Sequence, residues 1–197
     1  MGRNIFTRGE FDRYKVVSLN EAKNDIVELY HGYAQEKIPV FISHKHDDLE
    51  ELKGLIGFLE SEYNVKAYID SRDGSMPLKT SGETALKIKE RIMQCKKFIL
   101  LATDAAIESK WCNWELGFGD AHKFKSNSIA LFPVKERYSS DEEFKGNEYM
   151  GIYPYIVYRK GDRYKSGEAI SDGYYVRYKE NDEYYLTPLR EWLYRSW

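Results

Sequence analysis

Short, wholly apolar runs and longer amphipathic segments take turns along the first two thirds of this chain. The first run is Pro39-Val40-Phe41-Ile42; residues 98–102 and 129–134 repeat it, and 65–69 does so around one lysine, Lys66. Branched and aromatic residues without polar alternation mark strands buried on both faces. The segments between them carry a helical period. Ser18 and Glu21 make a capping-box pair ahead of Leu19, Ala22, Ile26, Leu29, Tyr30 and Tyr33, which predicts an amphipathic helix over 17–36. Asp48 with Glu51 is set to cap a second helix bearing Leu52, Leu55, Ile56 and Leu59. Thr80 with Glu83 is set to cap a third with Ala85, Ile88 and Ile92, and Ser109 opens a fourth that runs to about Phe124.

Strands separated by helices in this way predict an α/β fold, a mainly parallel sheet covered on both faces, with ligands outside the carboxyl ends of the strands. Beyond Lys135 the pattern changes. A polar stretch leads to a strand at 152–158, and two tyrosine-rich runs, 174–178 and 183–186, flank Glu180-Asn181-Asp182 as a hairpin. Thr187-Pro188 reads as an N-cap with proline at the first helical position, so 189–197 should close the chain as a helix docked by Leu189, Trp192 and Leu193. This divides the chain into an N-terminal helical extension (1–36) and one domain (37–197), with a core at 38–134 and a hairpin-and-helix decoration at 150–197.

Composition narrows the function classes. At 197 residues, 42% of them hydrophobic, the chain can bury one core. Its apolar runs fall far short of the ~20 residues that span a bilayer. The first ten residues hold no secretory h-region, so the expected location is cytoplasmic. Two cysteines, Cys95 and Cys112, suit packing in a reducing compartment rather than a disulfide framework. A formal charge of -2 with both signs interspersed gives no electrostatic reason to expect nucleic acid or an acidic membrane as partner. His44 and His46 beside Asp47 and Asp48 are expected to face solvent, and no metal site is assigned.

Three segments, in order, then carry a family resemblance: Val40-Phe41-Ile42-Ser43-His44; Ala67-Tyr68-Ile69-Asp70 with the loop Ser71-Arg72-Asp73-Gly74-Ser75-Met76-Pro77; and Trp111-Cys112-Asn113-Trp114-Glu115. Together they resemble Toll/interleukin receptor (TIR) domains, and the tyrosine-rich tail with its hairpin resembles the stand-alone bacterial type that makes the signal in Thoeris antiphage defence. The resemblance implies a flavodoxin-like sheet. It implies Glu115 as the catalytic residue for cleaving NAD, which is substrate rather than cofactor. Ser43, Trp111, Arg72 and Lys79 become candidates for binding the substrate. The 71–80 segment corresponds to the family's BB loop, with Asp73 and Gly74 as candidates for self-association, although it lacks the family's proline-glycine tip. A cyclic ADP-ribose isomer would be the output, acting on a separate effector.

The residues fit that chemistry. Trp111 and Glu115 are one helical turn apart and share a face. A carboxylate can stabilise the oxocarbenium character that develops when nicotinamide leaves. Trp111, Trp114 and Phe118 are candidate pocket walls, and the tail tyrosines a candidate cover. Two other readings compete: a non-catalytic interaction module, and a phosphoacceptor receiver built on Asp47, Asp48, Asp104 and Lys135.

Overall fold

The computed structural model describes residues 4–17, 37–69, 82–140 and 144–195. All but the first residue of the helix expected over 17–36, the 71–80 loop and the Thr80 cap lie outside the described residues.

Among the described residues the strands are β1 (Phe6–Thr7), β2 (Ile38–Ser43), β3 (Val65–Tyr68), β4 (Lys97–Ala102), β5 (Ile129–Lys135), β6 (Tyr155–Arg159), β7 (Gly173–Glu180) and β8 (Glu183–Pro188). They form one sheet in the order β3-β2-β4-β5-β6-β7-β8, with β1 paired to β5 off that path. From β3 to β6 every pairing is parallel; β7 and β8 run antiparallel. The parallel part is the flavodoxin-like order. The chain lays down β2, adds β3 on one side, then crosses to add β4 on the other. The switch point between β2 and β4 opens a crevice at their carboxyl ends, where such sheets bind ligands.

Helices cover both faces. On one lie α1 (Leu49–Tyr63), the N-terminal segment and α5 (Leu189–Tyr194), over a core that includes Val40, Ile42, Leu55, Ile99, Phe132 and Trp192. On the other lie α2 (Gly82–Gln94), the short α3 (Asp104–Glu108) and α4 (Lys110–Lys123), over Phe41, Phe98, Leu100, Leu116 and Leu131. Strand residues alternate between the two cores, so both are apolar and the strand sequences show no alternation.

Beyond residue 37 the structure departs from the sequence reading in four places. Asp48 is the N-cap residue of α1 but makes no side-chain cap bond, because its carboxylate is buried and engaged elsewhere. A short helix, α3, precedes α4; Thr103 caps it by accepting from Ala106 N, a signal hidden by the longer helix that follows. The strand expected at 152–158 begins later, at Tyr155, after a 3-10 turn at Glu148–Ile152. Pro188 still ends β8 and is itself the N-cap of α5, which stops at Tyr194 with Arg195 extended.

Residues 4–17, read as part of a helical extension, are integral to the domain. Phe6 stacks on Phe132 at 4.6 Å between ring centroids, and Phe11 meets Phe58 at 4.9 Å. The Tyr14 carbonyl lies so close to α1 that a Cβ on Gly57 would sit 1.7 Å from it. The hairpin is as expected: Asn181 and Asp182 both take positive φ, 49° and 60°, as a two-residue type I′ turn requires.

Candidate functional site

Ser43 is the last residue of β2, and Glu115 lies one turn into α4, which crosses the switch-point crevice. Local sequence sets α4 in place. The Ser109 hydroxyl caps it by accepting from Cys112 N, and Gly119 lets the helix approach β4 so closely that a Cβ there would meet the Phe98 ring at 3.0 Å. Cys112, Glu115, Leu116 and Gly119 thus form the buried face of the helix.

The Ser43 hydroxyl donates to Glu115 Oε2. Both side chains are buried, at 1% and 2% exposure. A carboxylate withdrawn from water is costly unless hydrogen-bonded, and a hydroxyl donor supplies part of what water gave. Cys112, one turn before Glu115, completes the cluster, with its thiol near Ser109 and Ser43. Burial first, and the Glu115 charge with it, holds that thiol above the usual cysteine range, so it is a packing group rather than a nucleophile. Sequence reading took Cys112 only as core, although its spacing from Glu115 already placed both on one face.

A second polar cluster braces the loops at the same end of the sheet. Asp48 accepts from Thr103 Oγ1 at 2.5 Å, tying the loop after β2 to the loop after β4. Arg8, reaching over from the N-terminal segment, bridges Asp48 at 2.8 Å, Glu51 at 2.7 Å and Glu136 at 2.7 Å. These carboxylates hold its guanidinium above the usual arginine range against the opposing effect of burial. Three residues of the receiver reading are engaged here: Asp48 as described, and Asp104 with Lys135 at 2.5 Å.

Of the candidate binding residues, Ser43 meets Glu115 directly. Trp111 opens α4 half-buried and packs on Trp114 at 5.0 Å between centroids. Trp114 and Phe118 continue that stripe under Lys89 of α2, whose ammonium lies 5.8 Å and 5.1 Å from their rings. They stand along the α2–α4 seam. Arg72, Lys79, Asp73 and Gly74 lie outside the described residues. The tail tyrosines do not cover the pair: β7 is four strands from β2, about 19 Å at the ~4.8 Å spacing of neighbouring strands. Among the described residues no group of three or more His, Cys, Asp or Glu side chains could hold a metal ion, and no helix is long and apolar enough to cross a membrane.

Comparison with known proteins identifies the family. The probable 3' cyclic ADP-D-ribose synthase ThsB' of Bacillus cereus (strain MSX-D12) is 33% identical over 139 residues, covering 69% of this chain and 69% of that relative. The model of the TIR domain family matches residues 40–170, a span that runs from β2 through α4 into the loop beyond β6 and contains all three motif segments. With the parallel sheet order, the buried carboxylate at its switch point and these two matches in agreement, the chain belongs to the TIR domain family.

Proposed function

We propose that this protein cleaves the bond between nicotinamide and ribose in NAD and closes the ADP-ribose fragment into a cyclic isomer, a diffusible signal to a separate effector in antiphage defence. The observation that carries this reading is the buried Glu115 carboxylate, held by the Ser43 hydroxyl at the switch point of the sheet. The relative's name, a 3' cyclic ADP-D-ribose synthase, supports the choice of product.

In the proposed reaction the C1′–nitrogen bond breaks with its electron pair passing to nicotinamide, which leaves as a neutral molecule. The ribosyl carbon becomes oxocarbenium-like, and the Glu115 carboxylate faces that charge in a site where water does not screen it. A hydroxyl of the other ribose adds to C1′ and releases its proton to solvent. The products are nicotinamide, a cyclic ADP-ribose and one proton. A ribose hydroxyl rather than the adenine ring is favoured as nucleophile by the 3′ linkage in the relative's name. Capture by the hydroxyl ahead of water requires a folded-back substrate and a dry pocket. Ser43 acts as a positioning residue, fixing one carboxylate oxygen so that the other is aimed. NAD is substrate here, and the proposed chemistry calls for no added cofactor. Trp111, Arg72 and Lys79 remain proposed substrate contacts, and self-association through Asp73 and Gly74 is proposed as the step that completes the site.

The test is product analysis. Purified protein incubated with NAD should release nicotinamide and a product that chromatography separates from linear ADP-ribose of different mass. Glu115→Gln should slow release by roughly 10²- to 10³-fold, the cost of deleting one pre-organised electrostatic group. Linear ADP-ribose as sole product would reduce the activity to hydrolysis. No nicotinamide from the wild-type protein, at any protein concentration, would make it an interaction module.

A further inference from the structure

The sheet ends on β8, and among the described residues no segment pairs with the outer side of that strand. Hairpin geometry fixes which of its groups face out. With a two-residue turn at Asn181-Asp182, Glu180 and Glu183 are the closing hydrogen-bonded pair, so Tyr178 with Tyr185 and Val176 with Thr187 also bond across β7 and β8. Tyr184 and Leu186, between them, turn their N–H and C=O groups away from β7. Such a row on a sheet edge invites another strand, and chains that avoid edge pairing place a lysine, a proline or a bulge within it. In β8 the register runs unbroken from Glu183 to Pro188, with no bulge. Its one charge, Glu183, is its first residue and pairs with Lys165 at 2.7 Å, and its proline, Pro188, is its last. Tyr184-Tyr185-Leu186-Thr187 between them is uncharged, yet Tyr184 and Tyr185 are 53% and 40% exposed. The opposite edge strand, β3, carries a lysine, Lys66, within its span.

The strand that fits this edge best is its own copy. Two antiparallel β8 strands about a two-fold axis have three registers to choose from, centred on Tyr184, Tyr185 or Leu186. Centred on Tyr184, Leu186 meets Asp182, whose left-handed backbone (φ 60°) does not extend the ladder. Centred on Leu186, Tyr184 meets Pro188, which has no N–H to give. Centred on Tyr185, Tyr184 of each copy meets Leu186 of the other, outward groups face outward groups, and four backbone hydrogen bonds close with no donor missing. Glu183 then lies opposite Thr187, so no like charges face each other. Tyr185 sits on the axis in the close, non-hydrogen-bonded pair. Its ring, already stacked on Tyr178 at 5.4 Å between centroids, meets the same ring of the second copy there.

We propose that β8 is the contact of a symmetric dimer, in which two copies of this chain pair their β8 strands antiparallel about Tyr185 and join their sheets into one. This surface is separate from the 71–80 loop, and the inference does not depend on the NAD reading. β8 stands five strands from β2, so each copy keeps its own Ser43–Glu115 crevice clear of the contact.

Sedimentation velocity on the full chain, from low to high micromolar, should show a dimer that grows with concentration. Tyr185→Lys and Tyr185→Glu each set like charges on the axis at an exposed position, and each should raise the dissociation constant roughly tenfold or more. Mixing the two variants sets opposite charges there and should restore the dimer. Amide hydrogen exchange reads the same contact without any variant. The Tyr184 and Leu186 N–H groups should exchange fast in dilute protein and slowly in concentrated protein, while that of Tyr185, bonded to β7 in either state, should not change. Gly74→Pro in the 71–80 loop should leave this dimer intact. A wild-type chain that stays monomeric at high micromolar, an unchanged dissociation constant in Tyr185→Lys, or a Lys/Glu mixture that stays monomeric would overturn the proposal. Exchange at Tyr184 and Leu186 that ignores concentration would do the same, and a dimer lost in Gly74→Pro but kept in Tyr185→Lys would move the contact to the loop.

Discussion

Ser43→Ala removes one hydroxyl from the candidate site and leaves the backbone of β2 untouched. The lost contact is a hydrogen bond to a buried carboxylate, worth about 1.5–3 kcal/mol when one partner is charged. If Ser43 aims Glu115, that energy appears twice. In turnover it lowers kcat by roughly 10- to 100-fold, since each ~1.4 kcal/mol is a factor of ten, with little change in KM. In stability it lowers the thermal transition by about 3–12 °C, at the ~2–4 °C per kcal/mol usual for a domain of this size. A hydroxyl needed only for strand termination would produce neither. The decisive assay is a double-mutant cycle on denaturant unfolding at neutral pH with Ser43→Ala, Glu115→Gln and the pair. Coupling above about 1 kcal/mol is expected because the two side chains touch. Additive effects within ~0.5 kcal/mol, together with wild-type kcat in Ser43→Ala, would refute the positioning role.

Three further outcomes are expected. Arg8→Met leaves the buried Asp48 without its cation and should cost about 2–4 kcal/mol in urea unfolding, somewhat less than a fully buried pair because Arg8 is 29% exposed; a loss under ~0.5 kcal/mol would show that Thr103 alone satisfies Asp48. Gly57→Ala sets a methyl group 1.7 Å from the Tyr14 carbonyl, so the N-terminal segment should detach from α1 and be cut first in limited proteolysis, whereas an unchanged cleavage pattern would contradict the close packing. Lys97 is buried beneath Trp192, with its ammonium bonded to Ser128 Oγ and the Arg195 carbonyl, and burial lowers its pKa from 10.5 to about 8. The unfolded state therefore binds the proton first: stability is fully present above pH 10.5, falls as pH drops toward 8, and stays reduced below that by at most roughly 3 kcal/mol. Lys97→Met should flatten that slope and hold or raise stability at pH 7, and a persistent slope between pH 8 and 10.5 would assign it to another group.

Much of this protein was legible in its residues. The runs around Val40, Ile99 and Leu131 could only be strands of a sheet covered on both faces, because nothing in them alternates, and the Asn181-Asp182 turn set the hairpin register by itself. Glu115 could be singled out only because Trp111-Cys112-Asn113-Trp114-Glu115 resembles the family's motif; its place in the first turns of a helix would by itself mark a solvated residue. What sequence could not supply was partnership across the chain. Ser43 and Glu115 are 72 positions apart, and Asp48 and Thr103 are 55 apart, so only the crossing of α4 over the switch point and the approach of two loops bring each pair together. Asp48 looked like a local helix cap for that reason. Its nearest backbone donors were visible in the sequence, while Arg8 and Thr103, which outcompete them, were not. The same holds for Arg177 of β7, 6% exposed: strand alternation names its face, but only the fold-back of residues 160–172 makes that face an interior. Local periodicity follows from backbone geometry and can be read along one segment. The burial of a charge depends on which distant segments close over it, and that is decided by tertiary packing.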